Sequence, residues 1–576
     1  MTISLLPPSL ALIAILFVLP VPPGLVLVIG GLLLPLVRDQ VRTTLVLGLP
    51  LLTLLLIWQV PDGVALGWSF LDYRLEPLKG TAAGRLFATV FAIAAFAGAL
   101  FALQQARVLE LVAAFIYAGS AILVCLAGDL ITIFICWEVM ALGSTLILWT
   151  AATPRAYAAS FRYILIHLLG GMLLMTGIAG QVSATGSIAF TSMDLNSPAH
   201  WLLLAGLLIN AGGPPLSAWV ADAYPEASPS GAVFLSSFTT KTAVYMLWQG
   251  FPGAGLLIPL GLFMVFYGMI YALLENDMRR ILAYSIVNQV GFMVTAIGIG
   301  SELALNGAAA HAFAHIIYKA LLLMAAGSVL AMTGKRKCSD LGGLARTMPI
   351  TAGCAIIGAL AISAFPLTSG FIAKSMISQA AADAHLAVAW FLLTAASAAA
   401  FLYIGLRFPW LVFFGKDSGR RPPDPPLNRR LAMLLTALLC IVLGIFPDVL
   451  YVLLPYPVAY VPYTASHVVS QLQLLLFAGL AFFLLLPQLR QTLTITLDFD
   501  WFYRRLGAAI ASKLMIKASQ VHTWLEMALR RRLEALIRVL FRHHGPHGTL
   551  ARTWPTGSMV LWVAVLLGTC LIFYYV

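Results

Sequence analysis

Residues 311–328 read HAFAHIIYKALLLMAAGS and form the centre of an apolar segment at 305–331. About 20 mostly apolar residues are enough for a helix to cross the hydrocarbon core of a bilayer. His311, His315 and Lys319 recur at four-residue intervals, so on a helix they lie on one face. An unperturbed histidine titrates at about pH 6.5 and can both donate and accept a proton. The stretch therefore predicts a membrane helix that carries proton-exchanging groups.

The whole chain has the composition of a membrane protein. Of its 576 residues, 61% are hydrophobic and 10% are charged, and the mean hydropathy is +0.95. Soluble domains contain about 25% charged residues. This difference excludes a water-soluble fold, and it also excludes a disordered chain and a nucleic-acid-binding module, despite the net charge of +12. We predict an all-α polytopic membrane protein.

Apolar segments between charged or Pro/Gly-rich stretches predict 17 transmembrane helices. The first two segments are short and share the Pro-rich hinge at 21–23, and the count is 16 if they form one helix. The segments are 5–20, 22–37, 43–60, 84–104, 109–127, 129–150, 160–182, 200–218, 230–250, 253–275, 281–299, 305–331, 349–373, 387–412, 431–455, 469–488 and 557–575. Most of the 34 lysines and arginines fall in alternate loops, which the positive-inside rule places in the cytoplasm. The predicted location is the bacterial inner (cell) membrane, with the first apolar segment retained because it lacks a basic leader and a cleavage site.

Charged side chains inside these segments are the strongest functional signal. Lys241, Lys319, Lys374 and Glu138 each lie within a predicted span, and His167 lies in another. A charge at the bilayer centre costs roughly 2.5–3.5 kcal/mol on insertion scales. A single lysine could extend to the interface or pair structurally, and His167 alone could be a polar core residue. Together these groups favour a chain of protonatable sites across the membrane interior.

Two spans are predicted to be interrupted. Residues 211–230 read AGGPPLSAWVADAYPEASPS, and residues 361–375 read AISAFPLTSGFIAKS. Proline removes a backbone donor and clashes with the preceding turn. Unwound backbone in a membrane is tolerated where it is buried in protein or lines a watery cavity. Paired interruptions in the two halves of a transporter indicate its pathway.

Near the C-terminus, apolar residues recur at helical spacing among lysines and arginines between 503 and 542. This pattern predicts a basic amphipathic arm, about 60 Å long for about 40 residues, along the cytoplasmic face. Two interpretations stay open, a helix that only contacts lipid and a brace against neighbouring subunits.

The sequence contains no recognisable cofactor motif. Its six cysteines are scattered without a CxxC pair, and the His311–His315 pair has no carboxylate or cysteine nearby, so we predict no metal site. Without a Rossmann fingerprint, haem motif or iron–sulfur ligand set, any electron transfer belongs to partner subunits. No cofactor and no catalytic residue is predicted.

Six motifs, in order along residues 120–380, are similar to those of one family. They are GDLITIFICWEVMALGS, PPLSAWVADAYPEAS, FTTKTAVYML, NDMRRILAYSIVNQVGFM, HAFAHIIYKALLLMAAG and FPLTSGFIAKSMI. The chain resembles the antiporter-like subunits of respiratory complex I, membrane-bound hydrogenases and multisubunit (Mrp-type) Na⁺/H⁺ antiporters, and is most similar to the D-type subunits of the Mrp antiporters. Its C-terminal arm and last span resemble the distal membrane subunit of complex I.

The resemblance implies two inverted five-helix repeats, each with a broken helix, around a polar axis at mid-membrane depth. By position, Glu138 matches the key glutamate of the family and Lys241 matches the lysine after the first broken helix. His315 and Lys319 match the central relay, to which we add His311, and Lys374 matches the lysine of the second broken helix.

One position departs from the family pattern. Asn210 occupies the place of a lysine that usually pairs with the glutamate, so Lys241 is the expected partner of Glu138. Further residues are predicted to relay protons or to support the pathway: His167, Asn210, Asp222, Ser285 and Gln289.

These expectations give a domain organisation and a function. The domains are 1–108 (N-terminal helices), 109–275 (first repeat), 276–412 (second repeat), 413–488 (additional helices), 489–556 (arm) and 557–576 (last helix). We expect a proton-translocating membrane subunit of a larger complex, with other membrane subunits, H⁺, the lipid bilayer and the candidate counter-ion Na⁺ as partners. The alternative is a membrane-arm subunit of an NADH:quinone oxidoreductase or membrane-bound hydrogenase, and a non-conducting scaffold fits the buried charges poorly.

Overall fold

A computed structural model describes residues 20–104, 106–488, 497–553 and 555–576. The predicted span at 5–20 and residues 489–496 of the predicted arm lie outside the described residues, apart from residue 20. The chain divides into two compact units, the first ending at Asp500 and the second running from Trp501 to Val576.

The first unit consists of helices and one hairpin. Its elements are α1 Pro23–Leu33, α2 Asp39–Ile57, β1 Gly63–Phe70, β2 Tyr73–Gly80, α3 Ala82–Ala102, α4 Val108–Cys125, α5 Leu130–Thr150, α6 Pro154–Thr185, α7 Pro198–Ala211, α8 Trp219–Ala223, α9 Pro229–Ser237, α10 Thr239–Gly250, α11 Leu257–Leu274, α12 Met278–Ile299, α13 Glu302–Thr333, α14 Pro349–Ile362, α15 Ser369–Asp383, α16 Ala387–Phe414, α17 Leu427–Ile445, α18 Asp448–Tyr451 and α19 Ala465–Leu484. The second unit contains α20 Ala508–His544, which follows a π-helical turn, and α21 Thr556–Tyr575.

The helices agree with the predicted membrane architecture. Among the described residues, twelve helices are long and apolar enough to cross a membrane. The remaining predicted spans contain shorter helices: α1 in 22–37, α7 in 200–218, α9 and α10 in 230–250, and α14 with the start of α15 in 349–373. The chain is therefore a predominantly helical polytopic membrane protein, in which several spans are divided.

The antiparallel hairpin of β1 and β2 was not predicted from the sequence. Its strands pair from Gly63 with Gly80 to Phe70 with Tyr73. The stretch GVALGWSF contains β-branched and aromatic residues, but it is too short to give a membrane signal.

Helices α12 and α13 form the centre of the first unit. The most apolar stretch of α12 is 100% buried and that of α13 is 78% buried, whereas that of α19 is 11% buried. Polar side chains on α12 and α13 therefore face other helices rather than lipid. This arrangement explains how α13 can carry two histidines and a lysine within an otherwise apolar sequence.

Both predicted interruptions are present. α7 ends at Ala211, and the following Gly212 has a left-handed backbone with φ of +81°. α14 ends at Ile362, and six residues separate it from α15. At the second interruption a Cβ atom on Gly370 would clash with the carbonyl oxygen of Ala361, so the close return of the chain requires glycine there.

Glycines allow α11 and α12 to pack closely. A Cβ atom on Gly268 of α11 would lie 2.5 Å from the backbone nitrogen of Asn288, and one on Gly291 of α12 would lie 2.5 Å from the carbonyl oxygen of Gly261. Small residues at helix contacts let the backbones approach in membrane proteins, where dispersion forces drive much of the association.

Gly291→Val should therefore destabilise the protein by roughly 1–3 kcal/mol, because the two backbones must separate to admit the side chain. Gly353→Val is the matched control, since a Cβ atom at this helical glycine meets no atom within 4 Å. Thermal unfolding of the detergent-solubilised variants, followed by size-exclusion chromatography, measures the difference. Equal melting temperatures for the two variants would contradict the packing argument.

An ion-pair cluster joins the loop after α8 to the neighbouring ends of α13 and α12. Arg336 donates to both carboxylate oxygens of Glu226, at 2.8 and 3.2 Å, and also forms an ion pair with Asp277. Asp277 caps α12 by accepting from the backbone nitrogen of Arg279 at 2.9 Å. Arg279 donates in turn to the carbonyl oxygen of Ala227 at 2.8 Å. The cluster therefore fixes the first interrupted segment to the central helix pair.

Burial alone would raise the pKa of Glu226, but the hydrogen bonds and charge of Arg336, with Arg155 and Arg279 nearby, lower it below its ordinary value. Because the folded-state pKa is the lower one, the pair contributes stability that is fully present above the unfolded-state pKa of about 4.3 and is lost as pH falls through the folded-state pKa. Glu226→Gln should thus lower the melting temperature at pH 7 and reduce its dependence on pH below about 4. If the melting temperature of Glu226→Gln equals that of the wild type both at pH 7 and below about pH 4, this role is refuted.

Candidate functional site

The three polar residues of α13 lie together in the protein interior. His311, His315 and Lys319 are fully buried. The ring centroids of the two histidines are 6.1 Å apart. Lys319 Nζ donates to Ser285 Oγ at 2.5 Å and to the carbonyl oxygen of Leu282 at 3.4 Å, both on α12. Within the described part of the chain, no hydrogen-bond partner reaches the ring nitrogens of either histidine.

Gln289 belongs to the same cluster. Its Oε1 accepts from the Tyr318 hydroxyl at 3.1 Å, and its amide nitrogen donates to Asn288. The Tyr318 ring centroid lies 5.2 Å from that of His315. Gln289 and Ser285, both predicted as supporting residues, are thus brought against the α13 row by their positions on α12.

Lys241 lies directly after a helix break that the sequence analysis missed. The backbone of Phe238 leaves the α-helical conformation (φ −107°, ψ −72°) and separates α9 from α10. Lys241 Nζ donates to the carbonyl oxygen of Ser236 at 2.6 Å and to Thr240 Oγ1 at 3.1 Å. The carbonyl groups at the end of a helix lack intrahelical donors and carry the negative end of its dipole, so they suit an ammonium group.

Lys374 occupies a similar environment in the second half. Its Nζ donates at 2.7 Å to the carbonyl oxygen of Ile362, the last residue of α14, and lies 4.8 Å from the centre of the Phe292 ring. Lys374 also borders a cavity of about 350 Å³. The polar residues that line this cavity beside it include Ser375, Ser378, Gln379, Thr394, Ser397, His467, Ser470 and Gln471.

The buried lysines, Lys241, Lys319 and Lys374, surround the histidine pair. His315 lies within electrostatic range of all three ammonium groups, and Lys319 lies within range of the other two. The structure therefore brings five of the six predicted pathway residues into one cluster, through three different helices and two helix breaks.

Glu138, the sixth pathway residue, lies apart from Lys241. The two side chains form no ion pair among the described residues, although the sequence analysis expected one. Glu138 is half-buried on α5, and its Oε1 has no hydrogen-bond partner within the described chain. That oxygen lies so close to Gly171 of α6 that a Cβ atom there would clash with it.

His167 of α6 is hydrogen-bonded to Asn210 of α7. His167 Nδ1 lies 2.5 Å from Asn210 Oδ1, and Asn210 Nδ2 donates to the carbonyl oxygen of Gly206 at 2.9 Å. Both side chains are buried.

Asp222 forms a structural ion pair. Both of its carboxylate oxygens accept from Arg162, at 2.7 and 2.8 Å, which connects α8 to α6. A bidentate pair of this kind is strong and geometrically specific.

Two buried carboxylates were missed by the sequence analysis. Glu110 is 2% exposed on α4 and accepts from the hydroxyl groups of Ser228 (2.8 Å) and Ser230. Its position inside the predicted span 109–127 was the available signal. Asp498 accepts from the hydroxyls of Tyr267 and Tyr284, at 2.7 and 2.6 Å, and nothing near it in the sequence indicated this contact.

The chain is similar in sequence to known membrane proteins. The family described as "NADH:quinone oxidoreductase/Mrp antiporter, TM" matches residues 127–401. The probable A/B subunit of the K⁺/H⁺ antiporter of Rhizobium meliloti is 30% identical over 360 residues, which cover 58% of this chain and 36% of that protein. The D subunit of the Na⁺/H⁺ antiporter of Alkalihalophilus pseudofirmus is 29% identical over 276 residues, 44% of this chain and 56% of that one.

A solved Mrp complex from Dietzia sp. contains a chain of similar fold. The TM-score is 0.74 at 22% identity, and the match covers 95% of this chain and 66% of that chain. The present chain thus spans only part of the length of each of these relatives. Residues 127–401, whose helices carry all six pathway residues, thus match this family, and the chain is similar to antiporter-like membrane subunits of complex I and of the Mrp antiporters.

Proposed function

We propose that this chain translocates protons through Glu138, the buried lysines and the histidine pair, as one subunit of a multisubunit membrane complex. K⁺ and Na⁺ are the cations named for the related antiporter subunits, and one of them is the proposed exchange ion. The proposed residues transfer protons between side chains and need no cofactor of their own.

One observation carries the proposal: the three buried lysines have only neutral hydrogen-bond partners. Among the described residues, no carboxylate forms an ion pair with any of them, and their acceptors are backbone carbonyls and hydroxyls. A permanently charged group in such a site is costly, whereas one that gains and releases a proton can be neutral for part of a cycle. A purely structural cation would gain more from a carboxylate partner.

The order of the groups supports a path along the centre of the first unit. Lys241 lies at the break between α9 and α10, and Lys319 with the histidine pair occupies the middle. Lys374 lies at the second interruption beside the polar cavity, where hydroxyl and amide groups can hold water. This cavity makes Lys374 the proposed group for exchange with one side of the membrane.

The proposal extends to the cellular location, the domain organisation and the role of the arm. The lysines and arginines in alternate loops favour a bacterial inner membrane location. These loops, and the arm that includes α20, would then lie on the cytoplasmic side. The domain boundaries at 108, 275, 412, 488 and 556 and the two inverted repeats at 109–275 and 276–412 remain part of this proposal. Residues 503–542 are proposed to brace partner subunits.

The family description also covers NADH:quinone oxidoreductases, so a membrane-arm subunit of an electron-transferring complex is the second candidate. In that case redox partners would supply the energy, and the same buried groups would move the protons. The proteins that co-purify with the native complex distinguish the two: small antiporter subunits in one case, and iron–sulfur subunits in the other.

Lys374→Ala should abolish proton movement, and Lys374→Arg should reduce it at least about tenfold although the positive charge is kept. Arginine stays protonated in proteins, so it can occupy the site but cannot release a proton. Cation-induced proton movement across everted membrane vesicles, followed with a pH-sensitive dye, measures both variants.

Lys416→Ala, at an exposed loop lysine, is the matched control and should transport normally. Nearly normal flux in Lys374→Arg, with the complex assembled, would show that Lys374 is a structural cation.

Deletion of residues 501–576 should remove partner subunits from the purified complex while the first unit still inserts into the membrane, because the two units are separate compact bodies. The α20 surface has no buried residue within its own unit, which leaves both faces available for contacts. Mass spectrometry of the purified complex gives the subunit composition. An unchanged composition after the deletion would favour a helix that only contacts lipid.

A further inference from the structure

The separation of Glu138 from Lys241 leaves the first half of the proposed pathway without a direct connection. His167 and Asn210 are buried at this position, and the mechanism proposed above does not use them. Their geometry, and the hydroxyl groups beside them, supply the missing connection.

Asn210 determines which nitrogen of His167 carries the hydrogen. Because Asn210 Nδ2 donates to the carbonyl oxygen of Gly206, it is Oδ1 that faces His167 Nδ1 at 2.5 Å. A carbonyl oxygen only accepts, so Nδ1 must be the donor in the neutral ring. Nε2 then presents a lone pair. It is buried and has no hydrogen-bond partner among the described residues, so it is a prepared proton acceptor.

Two adjacent glycines of α6 let the Glu138 carboxylate and the Asn210 amide approach the helix closely. A Cβ atom on Gly170 would lie 2.5 Å from Asn210 Nδ2, and one on Gly171 would clash with Glu138 Oε1. His167 precedes Gly171 by four residues, about one helical turn with a rise of about 6 Å, so these two residues lie on one face of α6. Glu138 of α5 contacts that face at Gly171, and a bridging water molecule can connect its carboxyl group to the imidazole.

Hydroxyl groups continue from His167 towards α10. The Tyr163 ring centroid lies 4.0 Å from that of His167, and its hydroxyl donates to Ser144 Oγ at 2.9 Å. The Tyr117 hydroxyl is within electrostatic range of Tyr163 and lies 2.6 Å from Thr239 Oγ1.

The hydroxyl that contacts the lysine belongs to the next residue along the chain. Thr239 is followed by Thr240, whose Oγ1 accepts from Lys241 Nζ at 3.1 Å. Hydroxyl groups both donate and accept, so each can pass a proton on by gaining one and releasing another.

We propose that His167 is the proton-accepting group that connects Glu138 to Lys241, with Nε2 as the binding atom and the hydroxyls of Tyr163, Tyr117 and Thr239 as carriers. This inference rests on the proposed function. When the O–H bond of the Glu138 carboxyl group breaks and an N–H bond forms at Nε2, the products are a carboxylate and an imidazolium. When that N–H bond breaks, each hydroxyl exchanges one proton for another and Lys241 gains the proton.

The test compares His167→Gln with the double variant His167→Gln/Asn210→Lys in the assembled complex. Glutamine keeps a donor for Asn210 but cannot bind a proton, so proton movement in vesicles should fall at least about tenfold. In the double variant a lysine replaces the amide beside Gly170, and this titratable group should restore transport. A side chain with a merely structural role would not be rescued by this exchange.

Tyr117→Phe removes one carrier and keeps the ring, and it should give an intermediate loss. His200→Gln is the matched control, because His200 lies at the other end of α7 and bonds to Gln181 at 2.7 Å. Its transport should be unchanged.

Wild-type flux in His167→Gln, or a double variant that assembles but stays inactive, would overturn the inference. Glu138→Gln and Lys374→Ala in the same assay keep the two proposals distinguishable. If these two variants lose transport while His167→Gln does not, only the role of His167 falls. If they too transport normally, the proposed function falls as well.

Discussion

An ammonium group inside a membrane protein needs hydrogen-bond acceptors, and an uninterrupted helix offers few of them because its carbonyls already accept from its own backbone. Lys241 and Lys374 meet this requirement at helix breaks, where Ser236 and Ile362 present carbonyl oxygens at the ends of α9 and α14. The break at Phe238 and the interruption after Ile362 therefore each accommodate a charged group. Each break supplies neutral acceptors that hold a lysine without neutralising it.

The central pair α12 and α13 provides the second condition, which is exclusion of lipid. Because α12 is buried along its length, Ser285 and Gln289 can face the α13 residues in the protein interior. Glycine contacts between α11 and α12 and the Arg336 ion-pair cluster hold this pair in place. The polar residues thus depend on a scaffold made of small residues and of charges at the helix ends.

The two halves of the site differ in chemistry. The second half contains a lysine beside a polar cavity. The first half has an asparagine bonded to a histidine, and a carboxylate that forms no ion pair with any described residue. Tyrosine and threonine hydroxyls lie between that carboxylate and Lys241. Proton transfer over hydroxyl groups suits this region, because no ion pair among the described residues connects Glu138 to Lys241. His167 therefore has a role in the first half that no residue needs in the second half.

The sequence by itself determined the membrane class, nearly all the helical segments and the choice of the six proposed pathway residues, because hydropathy, proline and buried charge act locally along the chain. It also located both principal interruptions. The break at Phe238, the β1–β2 hairpin and the buried Glu110 carry weaker local signals and were missed. Only the tertiary structure decided which groups meet. It separated Glu138 from Lys241, paired His167 with Asn210 and placed Asp222 against Arg162, because such contacts depend on helix packing and on glycines whose neighbours are distant in the sequence.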